Sequence, residues 1–435
     1  MKRTALLRCL TALALALAAA PATPYSIQTH EELIDLAWKQ SIEPALLARY
    51  PALTPAQLSE AHAYAYGGCA IQDFGYYPFG NKFFSNLTHY VRSGDFVLAL
   101  LHDARTPDEY AFAIGALAHY IGDTIGHGLA VNSAVPVEFP SLGRRYGARV
   151  SYAESPHAHV RTEFAFDVDQ LSKLRFAPSG YLEHVGLEIP TPLLTRAFYE
   201  TYGLRLRNLI GTRTAALRTY RFAARHFIPD IARAETLLHK DSFPADASGP
   251  ELDRFVADLH QASVDNDWER YRSKPGFTSH LYAGFIFILP KVGPLSMLSI
   301  KGPTGATEGL YVSSVNRSIA SLRFVLTHFD TVEEYVPNRD LDTGRRARPG
   351  SYPLADKTYA KLLAEITEHP ERTIPLELKH DLNAYFTDPV NRPVMAGNRR
   401  KWAEVQAHLK VLAGMRTSGE LDKIYGPDDE EEPGS

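Results

Sequence analysis

Cysteine is almost missing from this chain: Cys9 and Cys69 are the only two in 435 residues. A multi-disulfide scaffold is therefore excluded. Charge of one sign is missing too. The 46 basic and 50 acidic residues leave a formal charge of -4, so the whole chain carries no electrostatic footprint for nucleic acid. Neither of its marked apolar runs, residues 10–20 and 282–289, reaches the ~20 residues needed to cross a bilayer. Internal repeats and low-complexity tracts are absent as well. With 45% apolar and 22% charged residues, the composition excludes a disordered or collagen-like chain. The length allows a large core in one elaborated domain or two to three smaller ones.

The first segment, residues 1–22, reads as a secretory signal. Lys2, Arg3 and Arg8 precede the apolar run, and Ala20-Pro21-Ala22 offers a small-x-small cleavage site that leaves Thr23 first. A lipoprotein reading through Cys9 fails, because Cys9 precedes the apolar run. Cleavage removes three basic residues and no acidic one, which moves the formal charge from -4 to -7. It also leaves Cys69 alone, so the expected location is secreted or periplasmic and the expected cross-link is a metal ion.

Helix signals dominate the rest of the chain. Thr29-His30-Glu31-Glu32 has the form of a capping box opening an amphipathic segment, and Thr54-Pro55-Ala56-Gln57 repeats it with proline at the first helical position. Thr106-Pro107-Asp108-Glu109 opens a third segment running to about Gly126. Residues 67–86, rich in glycine and aromatics, read as an irregular excursion. Helical patterning continues over 191–202, 206–227, 251–271, 305–328, 355–366 and 396–413, with Pro/Gly breaks at 241–250, 290–303 and 336–353. No sustained period of two appears in the first two hundred residues, so the expected fold class is all-α. The expected organisation is a signal over 1–22, a helical domain over 23–240, a helical region packed on it over 241–425, and an acidic disordered tail over 426–435.

The chemistry lies on the third capped helix. His119-x3-Asp123-x3-His127 places three donors within about 80° of one another on one face, over two turns. Burying such groups unpaired would cost several kcal/mol, and metal coordination removes that objection. His159 and Glu163 repeat the i, i+4 spacing. His30, Asp73 and His89 are single candidates at the edges of the first helix and the aromatic excursion. A lone helical histidine is ordinarily a surface or hydrogen-bonded core residue. The case therefore rests on the stripe and the pair taken together.

As an ordered set, His30, Asp73, His89, His119-x3-Asp123, His127 and His159-x3-Glu163 resembles the bacterial zinc-dependent phospholipase C family and its relatives, the single-strand-specific zinc nucleases. The surrounding motifs, among them Gln72-Asp73-Phe-Gly-Tyr-Tyr-Pro-Phe-Gly, extend over about residues 25–170. The resemblance implies a multi-helical fold of that type with a helical C-terminal extension, and a site for up to three Zn2+. One zinc would be held by Asp73, His89, His119 and Asp123. A second would be held by His127, His159 and Glu163, with room for water. The third would take His30, the bridging Asp123 and the terminal amine and carbonyl of the mature chain, for which Tyr25 has the nuclease-like spacing. The predicted cleavage leaves Thr23 there instead, and the Asp123–His127 gap is shorter than in the best-known members.

Three Zn2+ against Asp73, Asp123 and Glu163 leave a positive centre suited to a phosphodiester, with zinc-bound water near pKa ~7. Asp73 is the candidate to orient that water. The implied function is a secreted zinc-dependent phosphoric ester hydrolase acting on a phospholipid or small phosphodiester, with transient membrane-surface contact. One alternative is a single-strand-type nuclease, which the charge of -7 disfavours. The other is a non-catalytic metal-stabilised binding protein. Phe74, Tyr76, Tyr77, Phe79, Phe83 and Phe84 could cage a choline-like cation, stack bases, or simply pack. Residues 282–289 suggest a buried segment or an interfacial dip. Arg345, Arg346 and Arg348 suggest a solvated loop or a phosphate contact.

Overall fold

The computed structural model describes residues 27–77, 79–209, 213–229, 247–272 and 302–418. The signal segment, Tyr25, the apolar run at 282–289, the acidic tail and the boundary read at 240/241 lie outside them. The described chain is all-α. Its strands are a two-residue parallel pair, Ile374–Pro375 with Thr417–Ser418, as the lack of a period-two pattern requires. Among the described residues no helix is long and apolar enough to cross a membrane.

Four helices build the centre: α1 (Ile27–Ala37), α2 (Pro55–Ile71), α3 (Lys82–Tyr90) and α4 (Ser93–Asp103). Helices α1, α2 and α4 pack against α5 (Pro107–Gly126), which is buried along nearly its whole length. Thr54 caps α2 in a closed capping box with Gln57, and Thr106 accepts from the Glu109 amide at the start of α5. Both starts follow from side-chain oxygens satisfying otherwise unpaired amides. Helices α2 and α5 run unusually close. A Cβ on Gly68 would lie 1.9 Å from the Phe112 carbonyl oxygen, and one on Gly115 would lie 2.1 Å from that of Ala65. Only glycine allows this backbone approach.

Three expectations change here. Thr29 does not cap a helix, because α1 starts at Ile27 and the Thr29 hydroxyl donates to Asp167. Nor is α1 a half-exposed amphipathic helix: residues 28–38 are all buried. Its polar groups have interior partners, Glu31 with Arg225 at 2.8 Å and Asp35 with Tyr66 at 2.7 Å. The stretch 67–86 is not irregular throughout. Helix α2 continues to Ile71 and α3 begins at Lys82, so the non-helical part is short. Small residues let the chain stay helical where two helices press together.

Further along come α6 (Pro156–Ser172), α7 (Thr191–Tyr202), α8 (Pro250–Asp265), α9 (Gly305–Thr327) and α10 (Pro353–Thr367). Helix α11 (Leu376–Thr387) follows, where the sequence pattern shows no clear helix, and then α12 (Arg399–Gly414). Helix α9 packs on α5, and α10 packs on α3. One continuous apolar core runs from Leu33 to Met415.

Candidate metal centre

All eight candidate ligands that fall within the described residues converge. His30 comes from the first turn of α1, Asp73 from the turn after α2, and His89 from the last turn of α3. His119, Asp123 and His127 come from α5 and its continuation, and His159 and Glu163 from α6. Every one is at most 2% exposed. Three triads have donor atoms within 4.8 Å of one another: His30, His119 and Asp123; Asp73, His89 and His119; and His127, His159 and Glu163.

Asp123 stands between them. Its Oδ2 lies 3.1 Å from His119 Nε2 and 3.3 Å from His89 Nε2. Its Oδ1 lies 3.3 Å from His30 Nε2 and 3.4 Å from His127 Nε2. The carboxylate thus turns one oxygen to each of two clusters, the arrangement of a bridging ligand. Immediately after it, residues His127–Val131 widen into a π-helical turn, a local irregularity that often marks functional sites. The one-face stripe of the sequence is real, and the wider turn begins at its last member.

The donor set fits zinc on two grounds. Tetrahedral zinc bonds of about 2.0–2.1 Å put neighbouring donors roughly 3.3 Å apart, close to most of the separations around Asp123. Second, Asp73 Oδ1, both oxygens of Asp123 and both of Glu163 are buried without a hydrogen bond that meets donor geometry. Buried carboxylates left so would be costly, whereas coordination satisfies them. The imidazoles are oriented for it. His119 Nδ1 donates to the Cys69 carbonyl at 2.8 Å, and His89 Nδ1 donates to the Ser85 carbonyl at 2.8 Å. A carbonyl can only accept, so the proton sits on Nδ1 and the Nε2 lone pair faces the cluster.

Burial and the neighbouring charges shift these groups strongly. Burial pushes the Asp123 carboxyl up, but His119 and His127 together hold it well below the usual carboxylate range. Burial, then the charge of Asp123, pushes Glu163 well above that range. Burial and the neighbouring His127 push the His159 imidazole well down, toward the neutral form a metal requires.

The aromatic excursion divides. Phe74 stacks on Tyr220, Phe84 stacks on Phe198, and Phe83 is buried under Lys361, so these three pack the core. Tyr77 meets Tyr220 edge-on, and Phe79 is exposed at a positive φ of 69°. Tyr76 alone reaches the centre, 5.2 Å from the His89 ring. Arg345, Arg346 and Arg348 are exposed. Sequence reasoning missed the loop that carries them. Its Asp342 lies 3.7 Å from His127 Nδ1, and Tyr90 and Tyr352 donate to Asp342. The Pro/Gly break at 336–353 signalled the loop, but nothing in it signalled its destination.

A buried histidine–carboxylate centre inside an all-α fold is a candidate metal site, and a comparison with known families bears on the metal it would take. Residues 29–211 match the family described as zinc dependent phospholipase C, the family that the ordered motifs resemble, and every candidate ligand of the centre lies within the match. Zinc as the ion, hydrolase as the class and phospholipid as the substrate type come with that family. No curated protein and no solved structure matches the chain.

Proposed function

We propose that the mature chain is an exported phosphodiester hydrolase of phospholipase C type, using up to three zinc ions on a phospholipid or small phosphodiester. The bridging placement of Asp123 between the triads supports this reading most directly. Asp73, His89, His119 and Asp123 would hold one ion. His127, His159 and Glu163 would hold a second, with three protein donors and so a position left for water. His30 and Asp123 would hold the third, completed by the amine of the mature N-terminus. When bound, zinc supplies Lewis acidity and a nucleophilic water near neutral pH.

The chain's own residues do the rest. Asp73, with Oδ1 3.3 Å from His89 Nε2 and Oδ2 4.0 Å from His30 Nε2, accepts a proton of the attacking water and fixes its direction. His89 and His119 are held by carbonyls and cannot swing away from the centre. Tyr76 and Tyr152, 5.2 Å from His89 and 5.7 Å from His159, present ring surface beside it. The absence of a basic excess favours a lipid or small phosphodiester over a polynucleotide.

The test measures zinc in the purified mature protein, its N-terminal residue by mass spectrometry, and turnover of phosphatidylcholine against single-stranded DNA. Bound zinc with phosphatidylcholine turnover is expected. Turnover of DNA alone would favour the nuclease, and full zinc with neither activity would leave a metal-stabilised binding protein.

A further inference from the structure

Asp342 belongs to neither the matched region, 29–211, nor any of the three triads. Yet it is 1% exposed and reaches His127 from more than two hundred residues away. Its Oδ1 lies 3.7 Å from His127 Nδ1. That distance is outside hydrogen-bond range, so the contact acts through charge. The opposite nitrogen, His127 Nε2, faces Asp123 Oδ1 at 3.4 Å and Glu163 Oε1 at 3.5 Å. His127 is thus held between a carboxylate on its Nδ1 side and the donor cluster on its Nε2 side.

The carboxylate itself is fixed. Tyr90, next to the ligand His89, donates to Oδ2 at 3.0 Å, and Tyr352 donates to the same oxygen. Tyr352 in turn accepts from the Ala153 amide at 3.1 Å. The backbone around Asp342 is pinned on both sides: its carbonyl accepts from Asn132 Nδ2 at 2.7 Å, and the Leu341 amide donates to the His89 carbonyl at 3.0 Å. A loop anchored this heavily delivers one negative charge to one imidazole.

We propose that Asp342 is a positioning residue for the metal centre: a carboxylate from the C-terminal part of the chain that orients His127 with its proton on Nδ1 and its Nε2 lone pair toward the ion held with His159 and Glu163. A carboxylate beside the far nitrogen of a ligand histidine draws the ring proton to that side by its charge, and loss of an outer-shell partner typically weakens metal binding by about 10- to 100-fold. The C-terminal region is then part of the metal site rather than an appendage to it. The inference rests on the zinc reading above.

The experiment reads metal, not turnover. Zinc affinities of wild type and Asp342→Asn are measured by chelator competition, and Co2+-loaded samples by visible absorption. Asp342→Asn should bind one ion about 10- to 100-fold more weakly, leave the others unchanged and shift part of the cobalt spectrum. In a His127→Ala background the same substitution should have no further effect. Affinities within about twofold of wild type with an unchanged spectrum overturn the inference alone, as does an equal loss in the His127→Ala background. A wild-type protein that binds no zinc overturns the proposed function and this inference with it. Should Asp342→Asn fail to fold, Tyr352→Phe carries the test. It keeps the charge and removes one hydrogen bond, so about threefold to tenfold weaker binding of the same ion is expected, and unchanged binding overturns the inference.

Discussion

Two sets of buried carboxylates in this molecule are satisfied in opposite ways. Asp356, at the start of α10, takes hydrogen bonds from the Gly350 amide at 2.9 Å, Tyr385 at 2.7 Å and the Val394 amide at 2.7 Å. Glu308, on α9, takes them from Lys173 at 2.7 Å, Arg175 at 2.8 Å, Gln170 at 3.0 Å and the Ala247 amide at 2.7 Å. Asp123 and Glu163 are buried as deeply, but imidazole nitrogens surround them and none of their oxygens meets hydrogen-bond geometry. The first pair holds the fold together with partners the chain supplies. The second pair converges on points where a metal ion could sit. Burial alone therefore does not mark a functional carboxylate; the kind of neighbour does.

That contrast can be broken most decisively at Asp123. Asp123→Ala should lower phosphodiester turnover by at least ~10³-fold and remove zinc with it; elemental analysis that still finds the full complement would refute the bridging role. Removing the metal from unaltered protein should come next in size. At free zinc a thousandfold above its dissociation constant, each ion stabilises the fold by about 4 kcal/mol, so chelation should lower the unfolding midpoint sharply. A midpoint indifferent to chelator would place the centre outside the folding energetics.

Asp356→Ala sharpens the other side. It leaves two amides and a hydroxyl without their acceptor, and should cost about 3 kcal/mol by denaturant titration while zinc content stays at the wild-type value. Loss of zinc in that variant would erase the distinction between the two sets.

A pH-dependent effect concerns the loop that joins the two regions. Burial pushes the Asp340 carboxyl up to about 7, against the pull of its hydrogen bonds from Thr343. Its folded value lies above the unfolded value near ~3.9, so the native state holds the proton more tightly. The stability this gives is complete below pH about 4 and is lost as pH rises to about 7. Measured by denaturation across that window, wild type should lose ground to Asp340→Asn and then run level with it. A relative gain would show the burial argument to be wrong.

Much of this was legible in the chain. The caps at Thr54 and Thr106 and the segments of α7 and α9 follow from local spacing, because capping and a 3.6-residue period act within a few residues. The His119, Asp123 and His127 stripe was legible for the same reason: i, i+4 neighbours share a face whatever surrounds the helix. Thr29 misled, since the same residue that caps a free helix can serve a distant carboxylate, here Asp167. Helix α11 escaped for want of a clear apolar period.

By itself, then, the sequence determined an all-α chain, the rows of candidate ligands along single helices, and the exclusion of a multi-disulfide scaffold. Only the tertiary structure decided that His30 stacks on His119 at 4.0 Å, that Asp123 turns one oxygen to each cluster, and that Asp342 comes to stand beside His127. Those are contacts between residues far apart in the chain. Their geometry is set by how closely helices such as α2 and α5 can pack, and no periodicity along the sequence encodes it.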